Sequence, residues 1–159
     1  MIYLRKLTDE DISMVKKWIM QDYISQWFGD VSDWEKELKG RNDEYSFIKH
    51  FIVEKDGNPI GFCQYYDWNS TVENEEEYEP AGTYGIDYLI GSKELLGKGI
   101  GKEIVRIICD KVVESEISVT QLVADPNIEE GRKNIASIKT LEANGFYYDE
   151  KTETYKKQV

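Results

Sequence analysis

Along the chain, the spacing of apolar side chains switches between the two-residue period of a strand and the three-to-four-residue period of a helix, and these switches mark out its elements. Ile2–Leu7 reads as a strand. Asp9 then stands as a helix cap before Ile12, Val15, Trp18 and Ile19, which fall on one helical face. A short aromatic segment holds Tyr23, Trp27 and Phe28, and Asp30 or Ser32 opens a second helix through Trp34 and Leu38 that ends at Gly40. Phe47–Glu54 and Pro59–Tyr66 are strand-like runs, and the Asp56-Gly57 pair between them favours a hairpin turn. An acidic loop leads to a strand at Thr83–Ile90, a glycine-rich turn, a helix over Gly99–Val113, a strand at Val119–Ala124, a helix over Asn134–Asn144, and strands around Phe146–Tyr148 and Thr154–Lys157. Repeats, low-complexity tracts and linker-like stretches are absent, so residues 1–159 are expected to form one domain.

The glycine-rich turn is the most informative stretch. Gly97-Lys98-Gly99-Ile100-Gly101-Lys102 lies between a strand and a helix, where backbone N–H groups can approach an anion and the helix terminus adds about half a positive charge. Two phosphate fingerprints are excluded by position. Gly91 and Gly97 are one residue too far apart for a Walker A loop, and Glu103 replaces its Ser or Thr. A dinucleotide fingerprint started at Gly97 needs a glycine where Lys102 stands, and one started at Gly99 needs it at Ile104.

What the loop resembles is the pyrophosphate turn of the GCN5-related N-acetyltransferases, with Leu96 in place of the usual Gln or Arg. Asn134 through Gly145-Phe146 is similar to the closing motif of the same superfamily. Through the middle of the chain, the order Glu75–Pro80, Gly85-Ile86-Asp87, Leu96–Gly101 and Ala124-Asp125-Pro126 looks like the aminoglycoside 6'-N-acetyltransferases, as does Ser25–Gly29 more weakly. The resemblance covers roughly Ile24 to Phe146. It implies an α/β (α+β) fold in which a mixed, mostly antiparallel sheet splays between two strands to admit CoA, flanked by helices.

Composition narrows the partners. A net charge of −11 disfavours nucleic acid, whose phosphates call for a basic surface. Glu73, Glu75, Glu76, Glu77 and Glu79 form either a solvated loop or an acidic rim that gathers polycations. Cys63 and Cys109 are isolated and His50 is the only histidine, so neither a disulfide framework nor a His/Cys metal site is expected. No run approaches the roughly 20 apolar residues of a membrane span, and Met1–Lys6 reads as strand rather than leader. A cytoplasmic monomer or homodimer is the expectation.

Acetyl transfer to an amine needs the amine deprotonated, and an alkylammonium has a pKa near about 10.4. A carboxylate can hold that cation and take its proton. The resemblance makes Asp87 and Asp125 the candidate catalytic pair, also contacting substrate. It assigns acetyl-CoA to the backbone of Tyr88, Leu89 and Ile90, to Gly97, Lys98, Gly99, Ile100, Gly101 and Lys102, and to Asn134. Trp27, Tyr66, Trp68 and Glu79 are the further substrate-binding candidates, since aromatic faces attract ammonium groups. Leu141 occupies the place where many relatives carry a proton-donating tyrosine. That leaves water, Tyr88, Tyr147 or Tyr148 for the step, or departure of CoA as the thiolate. The resemblance implies an N-acetyltransferase acting on a polycationic amine, most specifically the 6'-amino group of an aminoglycoside. A polyamine, a siderophore-type lysine or a protein N-terminus remains open as acceptor, as does a CoA-binding module without catalysis.

Overall fold

The computed structural model describes all 159 residues. One sheet of seven strands organises them: β1 (Ile2–Lys6), β2 (Ile48–Lys55), β3 (Asn58–Asp67), β4 (Thr83–Ile90), β5 (Gln121–Ala124), β6 (Tyr147–Asp149) and β7 (Thr154–Gln158). Their spatial order is β1-β2-β3-β4-β5-β7-β6, and every pairing is antiparallel except β4 with β5. Helices α1 (Ile12–Ile19), α2 (Asp22–Phe28) and α3 (Val31–Lys39) cover one face, while α4 (Ile100–Ser115) and α5 (Ile135–Glu142) cover the other.

Strand alternation supplies a core to each face. Ile52, Phe62 and Leu89 point at Val15, Ile19, Ile24 and Leu38 of the first three helices. Phe51, Val53, Cys63, Tyr65 and Ile86 point the other way, onto Ile104, Val105, Ile108 and Val112 of α4 and Leu141 of α5. Burial on both faces explains why β2 and β3 read as nearly continuous apolar runs.

Three local expectations are corrected. Asp9 does not cap α1. Thr8 and Asp11 instead form a reciprocal capping box around a single 3₁₀ turn, and Arg5 grips Asp11 from β1 at 2.7 and 2.8 Å. The aromatic segment is itself a helix, α2, closed by Gly29 at φ +76°. Asn134 caps α5 rather than belonging to it, accepting from the Ser137 N–H at 3.2 Å.

The decisive feature is the junction of β4 and β5. They pair in parallel only from Thr83↔Gln121 to Gly85↔Val123. Beyond that, β4 runs on to Ile90 without a strand neighbour on this side, and a wedge opens between the two.

Candidate active site

Asp87 and Asp125 each stand two residues past the last β4–β5 pair, on the side of the sheet that α1–α3 cover. Both line a small cavity of about 110 Å³ with Trp27, Phe28 and Tyr88. Burial raises the Asp87 carboxyl from 3.8 to about 6, helped by the charges of Glu37 and Asp125 and opposed by donors on Gln64 and Tyr66. Asp125 is more open, and desolvation within the cavity raises its carboxyl as well. The two carboxylates thus sit together in the wedge.

The row of strand partners behind Asp87 holds it in place. His50, Gln64 and Asp87 face one another across β2, β3 and β4. Gln64 Nε2 donates to Asp87 Oδ2 at 2.9 Å, while Gln64 Oε1 is buried without a partner in the protein. His50 Nε2 lies 2.9 Å from Glu37 Oε2 on α3. Sequence reading missed Gln64 because its tie to Asp87 depends on β3–β4 register.

On the other side of the wedge, Tyr88 faces α5 and its hydroxyl donates to Ser137 Oγ at 3.1 Å. A groove of about 480 Å³ runs from here to the glycine loop. Its lining includes Tyr88, Leu89, Ile90, Gly97, Gly99, Ile100, Gly101, Lys102 and Asn134 of the candidates above, but not Lys98. Gly97 and Gly99 adopt φ of +74° and +79°, and a Cβ on either would meet nothing within 4 Å. Their bare backbone therefore faces open space at the start of α4, where a phosphate can approach the N–H groups. Tyr23 also lines this groove, its hydroxyl donating to the Ile90 carbonyl at 2.7 Å. Trp27, Phe28, Tyr88, Asn134 and Ser137 border both groove and cavity, so the two adjoin.

The remaining candidates lie further along the same face. Tyr66 packs over Gly85, where a Cβ would come within 2.5 Å of its ring. Its hydroxyl is held well above its ordinary pKa by burial and by the nearby Asp87 and Asp125. Trp68 stacks on Tyr66 with ring centroids 6.3 Å apart and, with Glu79, borders a second cleft. Glu79 is already engaged, since its Oε1 accepts from Lys156 Nζ at 2.7 Å and from Gln121 Nε2 at 2.9 Å. Leu141 is fully buried, Tyr147 and Tyr148 lie away from the groove on β6, and Tyr88 is the tyrosine at the meeting of groove and cavity.

A seven-stranded sheet wedged open after a short parallel pair, with a glycine loop at the adjoining helix, defines an acyltransferase architecture. The chain belongs to the GNAT acetyltransferases: residues 8–154 match the model of the acetyltransferase (GNAT) domain. It is 28% identical to an aminoglycoside N(6')-acetyltransferase type 1 of Klebsiella pneumoniae and to one of Serratia marcescens, over 91% of this chain and 73% of each of those. The crystal structure of aminoglycoside acetyltransferase AAC(6')-Ib with coenzyme A superposes with a TM-score of 0.83 at 25% identity, covering 99% of this chain and 95% of that one. AAC(6')-Ib with ribostamycin and coenzyme A gives 0.82 at the same identity, over 99% and 93%. No helix here is long and apolar enough to cross a membrane.

Proposed function

We propose that this protein transfers the acetyl group of acetyl-CoA to an amine of a polycationic small molecule, the 6'-amino group of an aminoglycoside. One observation carries the reading: a carboxyl raised to about 6 lines a cavity that adjoins a groove floored by a bare glycine backbone. Similarity to aminoglycoside 6'-acetyltransferases over 91% of the chain supports the choice of acceptor.

Each residue then has a task. The Gly97–Lys102 backbone receives the pyrophosphate, and Asn134, Ser137 and Thr140 border the arm that leads inward. Past Gly85, β4 has no strand neighbour on its β5 side and offers N–H groups there to the thioester oxygen. Asp87 attracts the substrate ammonium and takes its proton, a role suited to a carboxylate whose pKa lies near working pH. Asp125 holds the same ammonium from across the wedge. Tyr88, buried beside Ser137, is the proton donor for the departing sulfur in place of the tyrosine that Leu141 displaces. Trp27, Tyr66 and Trp68 offer ring faces to the acceptor. We further propose that the chain works as a single cytoplasmic domain.

Thiol release from acetyl-CoA, measured against aminoglycosides, polyamines and lysine-containing peptides, tests the reading. Release is expected with aminoglycosides and to fall at least 100-fold in Asp87→Asn, with a smaller loss in Asp125→Asn. Release with peptides or polyamines alone would move the acceptor. CoA binding without release on any amine would overturn the enzymatic reading.

A further inference from the structure

The second cleft, about 750 Å³, lies on the acceptor side of the sheet beyond Trp68. Glu76 and Glu77 stand on its wall, yet a cation is built into its depth. Lys156 Nζ donates to Glu79 Oε1 and to Asp149 Oδ2, both at 2.7 Å, with its side chain 8% exposed. Burial alone would lower the Lys156 pKa, but its bonds to Asp149 and Glu79 outweigh that and raise it. Lys156 therefore stays charged.

Its place relative to the reacting centre follows from register. Tyr66, Gly85, Val123 and Lys156 are consecutive cross-strand neighbours on β3, β4, β5 and β7. Asp87 lies two residues along β4 from Gly85, on the same face. With strands about 4.8 Å apart and residues rising about 3.3 Å, Lys156 and Asp87 are separated by on the order of 12 Å of backbone. An acceptor whose amine is held at Asp87 extends over that distance within two or three sugar rings.

We propose that Lys156 is a specificity-determining residue: its ammonium occupies the Glu79–Asp149 carboxylate pair that would otherwise seat a distal ammonium of the acceptor, and so favours acceptors without a cation at that reach. The inference rests on the placement of the acceptor given above. The physical grounds are three. A tethered ammonium acts at an effective concentration of mM or more, which a dilute ligand cannot match. A second ammonium brought against Lys156 meets a like charge in a poorly solvated site, where repulsion is only weakly screened. Lys156 also links the acidic loop, through Glu79, to the β6–β7 hairpin, through Asp149, so displacing it would break both ion pairs at once.

Neomycin, which carries amines on distal rings, and its two-ring fragment neamine probe the site. The ratio of their KM values and, by calorimetry, of their Kd values would be measured for the parent protein and for Lys156→Met. Neomycin is expected to gain on neamine at least tenfold in the variant, and the gain should shrink as salt is raised. An unchanged ratio in a folded variant overturns the proposal. If Lys156→Met does not fold, Lys156→Gln, which keeps a donor without the charge, is read against the same criterion. Should no aminoglycoside be acetylated, calorimetry still decides: a neomycin gain upholds charge exclusion while the proposed reaction fails. Acetylation with an unchanged ratio does the reverse.

Discussion

At the scale of single residues, the proposed chemistry turns on how Asp87 is solvated. With its carboxyl raised to about 6, kcat/KM is expected to be flat above neutral pH and to fall about tenfold per unit below about pH 6, as the base becomes protonated. Gln64 supplies a donor that favours the ionised form. Gln64→Leu is therefore expected to move the acid limb to higher pH while leaving the alkaline plateau within a few-fold, and a pH–rate profile reads it directly. An unmoved limb would assign the titration to another group. Tyr88→Phe should lower kcat 10- to 100-fold with little change in KM for acetyl-CoA, because it removes a proton donor and leaves the ring in place. Equal kcat in a folded Tyr88→Phe variant would return the step to water. Asp87 was legible in the sequence because Gly85-Ile86-Asp87, within a strand pattern, carries the family resemblance, whereas Gln64 and Lys156 were not. Each acts through a partner distant in sequence, and nothing local to a glutamine or lysine announces that partner.

At the scale of elements, most strands and helices announce themselves through apolar spacing, and the exceptions have local causes. The 3₁₀ turn at Asp9–Asp11 is closed by the Asp11 N–H on the Thr8 carbonyl at 3.0 Å, and the Thr8 N–H donates back to Asp11 Oδ2 at 2.8 Å. Helix α2 hid behind its aromatic residues, whose stiff side chains make weak helix formers, and its closing Gly29 was the available signal. The glycine loop was legible as an anion turn because its backbone demands are written in the residue type. Gly99 is the N-cap of α4 in the left-handed region, with no atom near a would-be Cβ. Gly99→Ala therefore creates no clash, and its cost is backbone strain of about 1–2 kcal/mol. The melting temperature is expected to drop by a few degrees and CoA affinity by about tenfold, the latter read by calorimetry. A large loss of stability with unchanged affinity would mean that the loop serves α4 rather than the cofactor.

At the scale of the whole molecule, the sequence implied a splayed sheet only through its resemblance to a family. The place of the split, after Gly85↔Val123, required coordinates. That short parallel run is the whole of the hydrogen-bonded strand seam between a part comprising β1–β4 and a part comprising β5, β7 and β6. The chain crosses from one part to the other through the exposed turn after α4, where Ile117 is 92% exposed. Division of the chain at this turn is therefore a direct test of what holds the two parts together. Severed between Ile117 and Ser118, the two pieces would meet along that short strand seam beside the acetyl-CoA groove and along the core that α4 shares with β5, β7 and α5. Co-expressed pieces are expected to recombine at least tenfold more tightly with CoA than without it, by titration of one labelled piece into the other. Indifference to CoA would show that helix packing alone unites them. A ligand-gated reassembly would make the wedge a fastening that the cofactor closes.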